Sequence, residues 1–370
     1  MPAQVRKMFL GGNTGYGFFS FYEQVISGDS VKTFVLKGGP GTGKSNFMRQ
    51  LAGQMVARGY PMEEFYCSSD STSLDGVRMP SIGVALIDGT APHLIDPKHP
   101  GAIESVIDLS AYWDEAALKA KRDLVRPAVF KSGFLFRRAY GYLDLARRLN
   151  DEQEAYISEL GALNVGSLNR ITVELIEELL PEAALSSPET RPRERHLFAS
   201  AITPQGLVHH LPSLLEGMSK RVFVRGPAGT GRTTLVNEAL QAAQKRGYEV
   251  EVYHCALDPK RIDHVLIPQL RIAVCNASEP HSIVPVKGDR VIDTVNYLDS
   301  SKLDPFAAEL AQLQAAYQEA LAAAITLIKQ AKDNHAYLES LYTPHMDFER
   351  IGERRQLVLQ EILGLERANL

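Results

Sequence analysis

Two glycine-rich octamers stand 188 residues apart in a chain of 370. The first reads Gly38-Gly39-Pro40-Gly41-Thr42-Gly43-Lys44-Ser45 and the second Gly226-Pro227-Ala228-Gly229-Thr230-Gly231-Arg232-Thr233. The spacing is close to half the chain, so one local backbone conformation has to be built twice. The same register carries Arg58-Gly59-Tyr60 onto Arg246-Gly247-Tyr248, Glu63 onto Glu251, Cys67 onto Cys255, Asp70 onto Asp258 and Asp75 onto Asp263. It continues with Val77 on Val265, Pro80 on Pro268, Pro92-His93 on Pro280-His281 and Pro97 on Pro285. A register kept through proline, histidine, glycine and cysteine marks duplication of a whole folding unit, not a short stacked repeat. The expected units are residues 1–187 and 188–370, joined near 181–195, where prolines, serines and charges have the composition of an exposed linker.

Within the first unit, the apolar run at 33–36 ends at the glycines and reads as a buried strand. Residues 45–58 carry Phe47, Met48, Leu51, Met55 and Val56 at helical spacing, with Gly59 as a stop. Strands are expected at 64–67 and at 81–87, the latter ending at Asp88. The second unit repeats this at 222–224, 234–245, 249–254 and 271–275. Strands alternating with helices predict an α/β fold of two duplicated units with parallel sheets, each followed by a helical segment. Phe306, Leu310, Leu313, Tyr317, Ala320, Ala324, Leu327 and Ala331 form a heptad seam that serves either internal packing or a dimer contact. Residues 113–180 are helical in pattern, with interruptions at Pro127 and Ser132-Gly133, and Ala155-Tyr156 aligns with Ala336-Tyr337 at an offset of 181.

A strand, a GxxxxGK[ST] loop and a helix in succession are the context that defines a phosphate-binding loop. Glycines let consecutive N–H groups curl inward, and the helix N-terminus adds its positive end. On these residues the chain resembles the P-loop NTPase superfamily, and its tandem arrangement is similar to largely uncharacterised bacterial tandem-P-loop ATPase-like proteins. The resemblance covers roughly residues 31–101 and their repeat. It implies ATP and Mg²⁺ as ligands, with Gly38, Gly39, Pro40, Gly41, Thr42, Gly43, Lys44 and Ser45 around the phosphates. Lys44 would reach the β- and γ-phosphates, and Ser45 would place its hydroxyl on the metal. Asp88, at the end of a hydrophobic strand, corresponds to the Walker B aspartate and is the second metal-side group. Many ATPases follow that Asp with a catalytic Glu; here the next residue is Gly89. His93, in the same loop, either orients water or senses the γ-phosphate, or else satisfies loop backbone groups. Asp70 and Asp96 are weaker candidates, and Asp70, like Asp258, also suits a capping role.

The second copy keeps Gly226, Gly229, Thr230, Gly231 and Thr233 but has Arg232 for Lys44 and Asn276 for Asp88. Arginine is a longer planar fork than a compact ammonium, and asparagine has no charge for a hydrated metal. A second site that binds phosphate weakly and does not hydrolyse it is expected. A sharper alternative has Arg232 or Arg225 acting on the first site as an arginine finger.

Net charge of −4 gives no general reason for nucleic-acid or membrane binding. The stretch 114–150, rich in Lys and Arg, is the local exception: either a solvated helical face or a polyanion surface. Three cysteines without a CxxC pair, no signal-like apolar segment and no membrane-length apolar run place the protein in the cytoplasm. Three functions fit the sequence. One is a slow Mg²⁺-dependent ATPase working from the first half. Another is a small-molecule kinase with Arg137 and Arg138 as lid residues. The third is a nucleotide-gated module whose helical parts bind a protein partner or nucleic acid.

Overall fold

The computed structural model describes residues 3–26, 30–91, 95–181, 193–278, 281 and 283–368. The first half contains β1 (Val5–Phe9), β2 (Gly11–Thr14), β3 (Gly17–Ser20), α1 (Glu23–Ile26), β4 (Lys32–Lys37), α2 (Lys44–Val56), β5 (Met62–Tyr66), β6 (Leu74–Met79), β7 (Val84–Asp88) and β8 (Glu104–Asp108). Helices α3 (Glu115–Ala120), α4 (Arg122–Glu159) and α5 (Val165–Leu179) follow. The second half repeats the order with β9 (Glu194–Leu197), β10 (Ser200–Thr203), β11 (Gly206–His209), α6 (Leu211–Leu215), β12 (Lys220–Arg225), α7 (Arg232–Lys245), β13 (Val250–His254), β14 (Ile262–Ile267), β15 (Ile272–Asn276) and β16 (Arg290–Asp293). It ends with α8 (Ala307–Tyr342) and α9 (Phe348–Ala368). Among the described residues no helix is long and apolar enough to cross a membrane. Most of the expected linker at 181–195 lies outside the described residues.

Both halves form a six-stranded sheet of one topology, β1-β5-β6-β7-β4-β8 and β9-β13-β14-β15-β12-β16. The expectation of parallel sheets needs correction: β6 and β14 run antiparallel to both neighbours, so the sheets are mixed. The cause is connection length. Residues 67–73 and 80–83 join β6 to its neighbours by short turns, whereas a parallel pairing needs a crossover of about a dozen residues or more.

Helix α2 lays Phe47, Met48, Leu51 and Met55 on Phe34, Leu36, Val77 and Leu86 of the first sheet. The same core is completed by Ile351, Val358, Leu359 and Ile362, which belong to α9 of the second half. Conversely, α7 covers the second sheet with Leu235, Val236, Ala239 and Leu240, and Leu175, Leu179 and Leu180 of the first half close that core. Polar contacts follow the same exchange. Lys32 lies 3.4 Å from Glu361, Arg290 pairs with Glu178, and Arg246 donates to the Leu180 carbonyl at 2.9 Å. Fully burying a side chain of this size stabilises by about 1.5–3 kcal/mol, so each exchanged helix anchors the other half.

The opposite faces of the two sheets share one core, in which Met8, Val35, Phe65 and Ile87 meet Leu197, Phe223, Tyr253 and Leu266. At its centre Phe9 and Phe198 exchange backbone hydrogen bonds of 2.9 and 3.1 Å. Beside them sit two reciprocal buried ion pairs. Arg195 donates to both Glu63 oxygens at 2.6 and 2.7 Å, and Arg6 grips both oxygens of Glu251.

The long helices α4 and α8 pack antiparallel. Lys121 at the start of α4 donates to the Leu341 carbonyl near the end of α8, and Asn334 donates to the Ala128 carbonyl and to Ser132 Oγ, both at 2.7 Å. At the other end the Tyr156 ring meets Phe306 edge-on. The seam thus serves internal packing, setting Ala320, Ala324 and Ile328 against Ala139, Leu143 and Ala146. Contrary to expectation, α4 runs unbroken through Pro127 and Gly133. Pro127 lies in its second turn and forfeits one backbone bond, while Ser132 is used by Asn334. The helical repeat is also offset by 185 residues rather than 181. The reciprocal bridges Trp113–Met346 and Leu163–Leu298 place Trp113 opposite Leu298 in the repeat.

Ile362 and Leu175 are fully buried. Ile362→Ala and Leu175→Ala should therefore each cost about 2–5 kcal/mol in chemical denaturation, although each residue lies in the half opposite the core it completes. The ion pairs add a pH dependence. Burial alone would raise the Glu63 carboxyl, but Arg195, Arg78 and Arg6 outweigh it and hold it at about 2. Its contribution is complete above the ordinary value of 4.5 and is lost as pH falls through about 2. Melting temperature measured down this range should fall, and less steeply in Glu63→Gln.

Candidate functional site

The loop between β4 and α2 has glycines at φ +153° (Gly38), +68° (Gly41) and +84° (Gly43). In the second half Gly226, Gly229 and Gly231 adopt +146°, +77° and +87°. Side-chain-bearing residues rarely take these angles, so both loops have the same conformation for the same reason. Thr42 Oγ1 donates to the Gly39 carbonyl at 2.9 Å, and Thr230 Oγ1 to the Pro227 carbonyl at 2.8 Å.

In the first loop Lys44 Nζ turns back to donate to the carbonyls of Gly38 and Gly39 at 2.8 and 3.0 Å, and lies 3.7 Å from Asp88 Oδ2. Parallel pairing of β4 with β7 sets Leu36 beside Asp88, which brings this carboxylate to the loop. Asp88 Oδ1 accepts from the Thr90 N–H at 2.9 Å. Ser45 Oγ, at the start of α2, accepts from the Leu74 N–H at 2.9 Å. The structure thus gathers Lys44, Ser45 and Asp88 at one corner. His93 lies outside the described residues.

The second corner is wired differently. Arg232 Nη1 donates to Asn276 Oδ1 at 2.9 Å, and Nε donates to the Pro227 carbonyl at 3.1 Å. Asn276 Nδ2 donates in turn to Asp263 Oδ1 at 3.1 Å. Burial lowers the pKa of Arg232. Arg225 donates to the Ile283 carbonyl at 3.1 Å. Both arginines are therefore committed within their own half, and the arginine-finger expectation does not hold. A cavity of about 370 Å³ adjoins this loop, lined by Arg232, Thr233, Asp263, Asn276 and Tyr317 together with Arg147, Asp151 and Glu154 of α4.

The weaker candidates have structural roles. Asp70 accepts from the Thr72 N–H at 3.1 Å and pairs with Lys332 at 2.8 Å; Asp258 accepts from the Lys260 N–H at 3.0 Å. Asp96 lies 3.7 Å from Lys37, which donates to the Gly89 and Ile95 carbonyls at 2.7 and 2.8 Å. Arg137 and Arg138 are exposed on α4, about sixteen residues from either end that meets a loop. At 1.5 Å per residue this is about 24 Å, too far for a lid. In the basic stretch, Lys119, Arg147 and Arg148 are paired with carboxylates on their own helices. That favours the solvated-face reading over a polyanion surface.

Each loop is also walled by the other half, which no sequence motif announces. A Cβ at Gly41 would stand 2.7 Å from Thr343 Oγ1 and 3.1 Å from the Glu339 carbonyl, and one at Gly43 would stand 3.3 Å from the Phe348 ring. Around the second loop, Cβ atoms at Gly229 and Gly231 would stand 3.0 Å from Glu154 Cα and 2.2 Å from Leu168 Cδ2. Glu154 and Glu339 are again 185 residues apart. The exact recurrence of Glu at this offset is the one signal that sequence comparison could have used.

Compared with protein-family models, with curated proteins and with solved structures, the chain gave no match.

The contact between Gly231 and Leu168 can be tested by a double-mutant cycle. Gly231→Ala should destabilise through both its positive φ and the clash. Leu168→Ala in the same chain should recover part of the loss, with a coupling of about 0.5–3 kcal/mol in denaturant unfolding.

Proposed function

We propose that the protein is a P-loop ATPase of low turnover that binds ATP with Mg²⁺ at residues 38–45. The observation that carries this reading is the convergence of Lys44, Ser45 and Asp88 on one glycine loop held in left-handed conformations. The residues fit the ligand: a Cβ at Gly38 would stand 2.6 Å from Thr42 Oγ1, so side chains are kept out of the cradle by lack of space. In this reading the loop N–H groups and the N-terminus of α2 bind phosphate oxygens, and Lys44 supplies the fixed positive charge. Ser45 and Asp88 hold the cation, which when bound neutralises charge developing on the transferred phosphoryl group.

Low turnover follows from the residue after Asp88. A Cβ at Gly89 would lie 2.4 Å from Val35 Cγ1, so the packing excludes a catalytic Glu at that position. His93 is the remaining group for orienting water. The same observation favours a second reading, a nucleotide-gated switch with negligible catalysis. Glu339, Thr343 and Phe348 touch the first loop, so a ligand there would bear directly on α8 and α9. The kinase reading loses support from the distance of Arg137 and Arg138.

Phosphate release and equilibrium binding of Mg·ATP separate these readings. Lys44→Ala should lower affinity or turnover by roughly 100-fold, and Asp88→Asn should weaken the Mg²⁺ dependence. Arg232→Ala should leave turnover within about twofold of wild type, the usual margin for a residue outside the working site. Wild-type turnover in Lys44→Ala would overturn the assignment. Binding without phosphate release would select the switch.

A further inference from the structure

The second half contains a buried group that phosphate binding does not use. Asp263, His264 and His281 are 6%, 0% and 2% exposed, and one ligand atom from each lies within 4.8 Å of the other two. We propose that these three side chains bind a divalent transition-metal ion of the zinc class, in a site that the first half lacks.

Neighbouring residues on a regular strand point to opposite faces, yet Asp263 and His264 converge. The reason is a bulge. Tyr253 of β13 pairs with His264 and His254 pairs with Ile262, which leaves Asp263 as the extra residue. A bulge re-aims a side chain in this way. The third group arrives from the loop after β15, where His281 Nε2 lies 3.1 Å from Asp263 Oδ2. The other carboxylate oxygen, Oδ1, accepts from Asn276 Nδ2 at 3.1 Å, which fixes the carboxylate with Oδ2 toward the histidine. Supporting hydrogen bonds of this kind orient ligands in metal sites.

A plain Asp–His hydrogen bond would account for the 3.1 Å contact but not for His264. Both of its ring nitrogens are buried without a hydrogen-bond partner among the described residues, as is Nδ1 of His281. Buried polar atoms are nearly always satisfied, so an imidazole placed beside a carboxylate and a second imidazole with nothing to bind points to a ligand. Two imidazoles and one carboxylate suit zinc and its first-row neighbours rather than Mg²⁺ or Ca²⁺, which prefer all-oxygen shells. Ligand atoms around four-coordinate zinc stand about 3.4 Å apart, so the longest edge must close by at most about 1.4 Å. Asp263 and His281 also line the 370 Å³ cavity, which provides an entry path and room for a water as a fourth ligand. The bulge recurs at Asp75 in β6, but its next residue is Gly76. The ion would tie the strand β14 to the loop that follows β15, beside the Arg232–Asn276 contact.

The test uses the full-length chain, stripped with a chelator and titrated with Zn²⁺ or Co²⁺ under chelator buffering. Metal content is read by mass spectrometry and cobalt ligation by visible absorption. We expect one ion per chain, an imidazole-type cobalt spectrum and no displacement by excess Mg²⁺. His264→Gly, which copies Gly76, should weaken affinity at least tenfold, and so should the isosteric Asp263→Asn. The exposed His335→Ala should change nothing. Far-UV circular dichroism reports whether His264→Gly folds; if it does not, Asp263→Asn alone decides. Failure of the wild-type chain to take up one ion, or unchanged affinity in a folded variant, overturns the proposal.

Discussion

The reciprocal exchange of α5 and α9 is the interaction on which the rest depends. Neither sheet completes its outer core from its own half: α2 needs Ile351, Val358 and Ile362, and α7 needs Leu175 and Leu179. The inner faces are joined just as tightly, by the shared core and by the paired Arg6–Glu251 and Arg195–Glu63 contacts. Breaking a buried pair by removing one partner leaves an uncompensated charge, so these contacts also fix how the halves are set against each other. With the halves locked by their helices, the two glycine loops come to lie against the opposite ends of the α4–α8 pair.

That placement gives the asymmetry between the loops a physical meaning. Backbone conformation is preserved in both, because Gly226, Gly229 and Gly231 keep the angles of Gly38, Gly41 and Gly43. What changed is the side chains at the corner. In the first loop an ammonium and a carboxylate face each other at 3.7 Å. In the second, a guanidinium is tied to an amide, and that amide to Asp263. The substitutions thus convert an electrostatic corner into a chain of hydrogen bonds, and His264 appears only in the half where this happened.

The glycine loops, α2, α7 and the strands beside them were legible because their signals are local: apolar runs, helical spacing, glycine stops. Strand β6 was not, since Leu74-Asp75-Gly76-Val77-Arg78-Met79 mixes charge into a fully buried strand. Its polar members are satisfied by distant partners, Tyr22 for Asp75 and Glu63 for Arg78. The sheets were read as parallel because the turns around this strand were not recognised. In α4, Pro127 and Gly133 looked like breaks because propensity was weighed without the long contact with α8 that overrides it. Lys44, Ser45 and Asp88 could be named from motif and strand-end position. The walls contributed by Glu339, Thr343, Phe348, Glu154 and Leu168 could not, because the helix exchange that brings them to the loops leaves no trace in a single half.

The central claim is that one of two similar loops is the working phosphate site. A crystal structure with a non-hydrolysable ATP analogue and Mg²⁺ tests it most directly. The account predicts triphosphate density within residues 38–45, with the ion beside Ser45 and Asp88, and none within 226–233. Nucleotide in the second loop alone, or in neither, would contradict it.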